Sequence, residues 1–212
     1  AGTCLKKSPA SYLTELKHTP SLSRSLDEIV VEGESLFQEM KEYLSRELPE
    51  LLPKLTCYDD SMISLKKLYG INEKIRKALS KHVWLKSGGF LVIEPTEAMN
   101  VIDVNTGKAV HGKKAVADTF LQINLEAARE IAFQLRLRNL SGIIIVDFID
   151  MESEESQKTL LTAFSDYLSE DPVTTCLVDM TALGHVELTR KKIRKPLHES
   201  LLAKNHTEEE NE

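Results

Sequence analysis

At 212 residues, 42% hydrophobic and 28% charged, the chain has room for one large buried core or two small ones. A net charge of -6 excludes reading nucleic-acid contact from bulk charge, so any such contact needs a local basic patch or a cation that offsets carboxylates. Cys4, Cys57 and Cys176 lie far apart without CxxC spacing, which fits a reducing, cytoplasmic setting better than a disulfide framework and argues against a structural zinc.

In chain order, residues 8–18 read as a short helix with Ser8 as N-cap and Pro9 in the first turn. Glu28 to Val31 is a strand closed by Gly33. From Glu34 to Leu48, the spacing of Leu36, Phe37, Met40, Tyr43, Leu44 and Leu48 predicts an amphipathic helix. Lys54 to Tyr58 is the next strand, followed by two helical pieces broken at Gly70, the second over 71–80. Near residue 82 the pattern changes. His82 to Lys86 alternates, Ser87-Gly88-Gly89 turns, and Phe90 to Ile93 resumes, which is a hairpin signal. Met99 to Val104 is a strand leading into the turn residues Asn105-Thr106-Gly107. The longest helix runs over about 115–138, with a stripe of Val116, Phe120, Ile123, Ala127, Ile131 and Leu135. Gly142 opens Ile143-Ile144-Ile145-Val146, read as a strand covered on both faces. A helix over 153–168, a strand over 174–179 and an edge strand near Val186–Thr189 follow. The class is α/β, with a domain boundary near residue 82 and a solvated acidic tail over 201–212. No stretch approaches the roughly 18 apolar residues of a membrane span, and no secretory leader stands at the N-terminus. The start at Ala1, without Met, reads as a trimmed piece of a longer protein.

The chemistry concentrates at two strand ends. Asp147 directly follows the β-branched run, where open α/β sheets place their ligands, and Asp150 adds a carboxylate three residues on. Burying such a group unpaired is costly, so it needs a cation, an arginine or backbone donors. Either aspartate equally reads as the cap of the next helix. Asp103 and Asn105 fall on one face of their strand by alternation, an anionic oxygen beside a neutral amide. Two aspartates from neighbouring strand ends suit magnesium, which takes one or two carboxylates and keeps several waters. Taken alone, however, Asp103 to Gly107 reads more readily as a turn. His82, His111, His185 and His198 have no HExxH spacing, and no GxSxG, GxxxxGKS or GxGxxG sequence occurs. Asn124, on the long helix's stripe, reads as a satisfied core amide or as a group reaching toward the site.

The stretch Lys86-Ser87-Gly88-Gly89-Phe90-Leu91-Val92-Ile93-Glu94-Pro95-Thr96-Glu97-Ala98, followed by Val101-Ile102-Asp103-Val104-Asn105-Thr106-Gly107, resembles the ribonuclease E/G family. The resemblance continues through Asn124 to Ala128, Gln134-Leu135-Arg136-Leu137-Arg138, Gly142 to Met151, and Gly184 to Arg190. It implies a DNase I-like catalytic domain over 82–200, preceded over 1–81 by a partial N-terminal region with a smaller ribonuclease-H-like α/β subdomain. It further implies a magnesium-dependent endoribonuclease that cuts single-stranded, A/U-rich RNA in RNA processing and decay, leaving 5′-phosphate and 3′-hydroxyl ends. Carried over, the metal ligands are Asp103 and Asp147, with Asn105 orienting phosphate or water; manganese is an alternative to magnesium, and no zinc is expected. Arg136, Arg138, Lys113, Lys114 and Arg190 are weaker candidates for RNA contact, and a structural role is favoured for Arg136 and Arg138, whose charge suits the end of a helix.

The family's S1 domain, its pocket for the RNA 5′-monophosphate and its CPxCxG zinc link are not visible in this sequence. The expectation is therefore retained cleavage chemistry with a weakened grip on RNA, in a chain that still has homo-oligomers among its possible states. The competing readings are an RNA-binding or assembly module without useful turnover, and a DNA nuclease of similar fold.

Overall fold

The computed structural model describes residues 26–107 and 116–201. The predicted helix over 8–18, Lys113, Lys114, and the tail beyond residue 201 lie outside the described residues. The chain divides into two compact units between Glu73 and Lys74.

In the first unit, β1 (Ile29–Glu32) and β2 (Leu55–Tyr58) pair in parallel, with α1 (Glu34–Glu47) as the crossover between them. Gly33, at φ 93°, makes the turn into α1 in a conformation that a side chain would strain. The apolar stripe of α1 buries Met40, Tyr43 and Leu44 against Val31 of β1 and Leu51 of the 3-10 turn Pro49–Lys54. Leu36, assigned to that stripe from spacing, is 39% exposed. Two short helices follow, α2 (Leu65–Leu68) and α3 (Ile71–Ala78), the latter crossing into the second unit.

The second unit is a six-stranded sheet with order β3-β4-β5-β6-β8-β7. Its strands are β3 (His82–Trp84), β4 (Phe90–Pro95), β5 (Met99–Asn105), β6 (Gly142–Asp147), β7 (Thr175–Met180) and β8 (His185–Arg190). Only β5 and β6 pair in parallel, and α4 (Val116–Arg138) carries the crossover they require. The remaining helix, α5 (Glu154–Ser169), joins β6 to β7. Ile123, Ala127, Ile131 and Leu135 of α4, with Leu160, Phe164 and Leu168 of α5, pack in one cluster with Leu91, Ile93, Ile102, Val104, Ile144, Val146, Val186 and Leu188. Both helices therefore sit on the same face of the sheet.

Two expectations about this sheet are corrected. The run Ile143–Val146 is not covered on both faces: Ile144 and Val146 are fully buried, whereas Ile143 is 49% exposed. β-branched residues favour a pleated strand whichever way they point, so the run encodes a strand without encoding two coats. In addition, β8 is not an edge. It lies between β6 and β7, and β7 is the edge, with a register shift between Leu177 and Asp179. Alternation of apolar and polar residues marks one buried face but carries no information about how many neighbours a strand has.

No described helix of this unit packs on the opposite face. Phe90, Val92, Val101, Asp103, Asn105, Ile145 and Asp147 all remain partly or fully exposed there, and none belongs to the buried cluster. An antiparallel-rich sheet tolerates one face of this kind.

Candidate active site

The β5–β6 register places Asp103 and Asp147 directly opposite one another on this open face. Neighbouring strands run about 4.8 Å apart, so two ionised carboxylates in that position repel unless something positive lies between or beside them. Asp147 ends its strand with a side chain 51% exposed. Asp103 is half-buried, and its Oδ2 accepts a 2.7 Å hydrogen bond from Asn105 Nδ2. That bond directs the amide nitrogen of Asn105 to the carboxylate and leaves its carbonyl oxygen for another partner. Asp103 and Asn105 are both strand residues, so the turn begins only beyond them.

The segment after Asp147 is held from two sides. Asn124, fully buried on α4, donates to Ile149 O at 2.8 Å and accepts from Ile149 N at 3.0 Å. Gln157 on α5 donates to Met151 O at 2.9 Å. Asn124 is thus a satisfied amide that fixes the backbone two residues beyond Asp147. The N-cap of α5 is Ser153, whose hydroxyl accepts from Ser156 N; neither Asp147 nor Asp150 caps the helix. Asp150 lies instead near the Gly184 turn, where a Cβ on that glycine would stand 3.9 Å from Asp150 Oδ1.

On the other flank, the hairpin turn is tied to α4 rather than open to a phosphate. The Glu126 carboxylate accepts from Lys86 N at 2.6 Å and Ser87 N at 3.1 Å. The turn also presses on the end of β5: a Cβ at Gly107 would come within 2.3 Å of Gly88 O, and one at Gly89 within 2.8 Å of Asn105 O. Only glycine allows that approach.

The structure adds His185. It is the cross-strand partner of Asp147 on β8, with Nε2 3.6 Å from Asp147 Oδ1. Sequence reasoning treated it only as a histidine without ligand spacing, because its significance depends on the β6–β8 register. Register thus gives one row across five strands: His82, Val92, Asp103, Asp147, His185. Among the described residues no three His, Cys, Asp or Glu side chains are grouped closely enough to cage a metal. Two adjacent carboxylates open to solvent fit a hard cation that keeps most of its water.

The arginines considered for RNA contact lie elsewhere. Arg190 is 4% exposed; its Nε donates to Asp171 Oδ2 at 2.7 Å and its Nη1 to Asn139 Oδ1 and Leu140 O. This buried pair ties β8 to the end of α4 and to the segment between α5 and β7. Arg138 is 7% exposed and donates to Gln134 Oε1 at 2.7 Å; burial lowers its pKa from the ordinary arginine value. Arg136 is more open, with Glu170 at 3.6 Å. Of the three, Arg138 and Arg190 have their charge turned into the fold.

The second unit is thus a single-layer mixed sheet with helices on one side and two facing aspartates on the other. The profile of the ribonuclease E/G family matches residues 9–193, and the chain belongs to that family. It is 42% identical over 180 residues to ribonuclease G of Haemophilus influenzae, an alignment covering 85% of this chain and 36% of that protein. It is likewise 42% identical over 176 residues to ribonuclease G of Escherichia coli, and 41% identical over 180 residues to ribonuclease E of Synechocystis, covering 26% of the latter. The chain thus spans about a third or less of the length of these relatives. No helix among the described residues is long and apolar enough to cross a membrane.

Proposed function

We propose that this chain is the catalytic region of a magnesium-dependent endoribonuclease that hydrolyses single-stranded, A/U-rich RNA in cytoplasmic RNA processing and decay. In this reading residues 82–200 form a DNase I-like domain, and the ribonuclease-H-like subdomain lies within 1–81. The observation that carries it is the facing pair Asp103 and Asp147 on an uncovered sheet surface, in a chain of the ribonuclease E/G family. Asp103 and Asp147 hold the cation, magnesium or manganese. When bound there it supplies positive charge to the phosphoryl oxygens and acidifies water.

The protein's own groups position the rest. Asn105, with its Nδ2 spent on Asp103, turns its carbonyl oxygen toward the water that attacks phosphorus. The water gives up one proton and its oxygen bonds to phosphorus as the P–O3′ bond breaks. One product keeps the 5′-phosphate, and the departing 3′-oxygen takes a proton to become a hydroxyl. His185 and the Asn124 clamp keep Asp147 in register with Asp103. Arg136, the most open of the three arginines considered for RNA contact, is retained as one, with Lys113 and Lys114 as further candidates.

The test is cleavage of a fluorescent A/U-rich single strand with magnesium by the wild type, Asp103→Asn and Asp147→Asn. Each variant is expected to fold normally and to lose about 10²- to 10³-fold in rate, the scale of removing a group that stabilises transition-state charge. Folded variants that cut as fast as the wild type would sink the two-aspartate site. A wild type that binds RNA without cutting it gives the lead to the binding-module reading, and equal cutting of DNA gives it to the DNA nuclease.

A further inference from the structure

The open face carries a group of rings beside the aspartates that the cleavage chemistry does not use. Trp84 faces Phe90 across the β3–β4 hairpin, with ring centroids 5.1 Å apart, and His82 lies 5.8 Å from the same phenyl ring. Phe90 is in turn the cross-strand partner of Asn105. The row Trp84–Phe90–Asn105 therefore runs parallel to the row that holds Asp103 and Asp147, one strand repeat away. From the standard strand spacing and rise, Trp84 stands two strands (about 10 Å) across and two residues (about 7 Å) along from Asp103.

Trp84 is 70% exposed, so folding gains little from it. It is nevertheless held in place, because Val83 and Leu85 on either side point into the core cluster. A large ring fixed at its backbone, supported by a second ring and bare on its outer surface offers a base a surface to stack on. Trp84 also lines a cavity with Lys86, Arg129 and Arg136 and with Glu126, Glu130 and Glu170, so the charge beside the ring is mixed and it is the rings that favour a base. On β3 and β4 the carboxylate of this face is Glu94, at the far end of β4, and Lys81 Nζ lies 2.5 Å from its Oε1. The ring cluster itself holds no carboxylate, and His82 adds a nitrogen donor.

We infer that Trp84 and Phe90 form a stacking platform for an unpaired RNA base next to the cleavage site, guiding the single strand across β3 and β4 toward Asp103 and Asp147. This rests on the ribonuclease reading above and adds the path of its substrate. Stacking is indifferent to sequence, since every base has a π-face, so the platform selects unpaired strands rather than particular letters.

Trp84 is the single tryptophan of the chain, so its emission reports this site alone. The experiment titrates the full chain with a short labelled single-stranded RNA in a chelator, reading Trp84 emission and RNA anisotropy, then adds magnesium and follows cleavage. RNA should quench Trp84 saturably, whereas an abasic ribose-phosphate chain of the same length should not. Trp84→Ala should weaken RNA binding about 5- to 50-fold, by the same factor at low and high salt, because stacking releases no counterions. Trp84→Phe should restore most of the affinity, which also guards against a folding defect in the alanine variant. Unchanged binding by Trp84→Ala, or quenching by the abasic chain, overturns the platform. So does an emission that changes with protein concentration in the absence of RNA, which marks the face as a contact between copies. A wild type that cleaves while its Trp84 ignores RNA overturns the platform and leaves the cleavage reading standing. One that neither binds nor cleaves overturns both.

Discussion

The two faces of the six-stranded sheet are made by alternate residues of the same strands, and they treat charge in opposite ways. On the covered face, Arg190 is buried, and its guanidinium is matched by Asp171 and two further acceptors. On the open face, Asp103 and Asp147 stand side by side with one amide and one histidine near them, and no arginine or lysine is paired with either among the described residues. A buried charge is costly unless it is paired and hydrogen-bonded within the chain. A surface charge need not be paired, and negative charge left unneutralised beside a like neighbour stores an attraction for a cation. One face settles its charge internally; the other presents its charge to solvent.

The comparison breaks first at Arg190. Arg190→Met leaves Asp171 buried without its partner, and should cost about 3–5 kcal/mol in urea unfolding. Its effect on RNA affinity of the folded fraction should be negligible. A clear loss of affinity at unchanged stability would return Arg190 to the RNA-contacting set.

Next comes the pair of neighbours on β6. Ile144→Ala, on the covered face, should destabilise by about 2–5 kcal/mol through lost burial and the cavity it leaves. Ile143→Ala, one residue away on the open face, should stay within about 0.5 kcal/mol, as surface changes usually do. Denaturation midpoints of the two variants sharpen the contrast, and equal losses would mean that the open face is covered in solution. The smallest expected effect is at Ser153, the cap of α5. Ser153→Ala should cost about 1 kcal/mol and leave magnesium-dependent cleavage intact, since no carboxylate of the site depends on that cap.

Much of this was legible in the residues. The stripe of α4 buries Ile123, Ala127, Ile131 and Leu135 where 3.6-residue periodicity puts them. Asp103 and Asn105 share a face because a strand has period two, and they bond to each other. What stayed hidden belongs to register and to neighbours. That His185 stands opposite Asp147 follows from β8 pairing with β6 over a connection of 37 residues, which no local pattern records. The exposure of Ile143 was hidden for a related reason: a continuous run of β-branched residues looks the same whether one of its faces is coated or both.

The parallel pairing of β5 with β6 also sets a sequence in time. The ribosome delivers Asp103 first, Asp147 only after the whole of α4, and His185 after a further helix and strand. Until that crossover has closed, Asp103 has no second aspartate across from it. The β5–β6 pair is therefore a contact of long sequence separation, made only once the whole of α4 is available to bridge it.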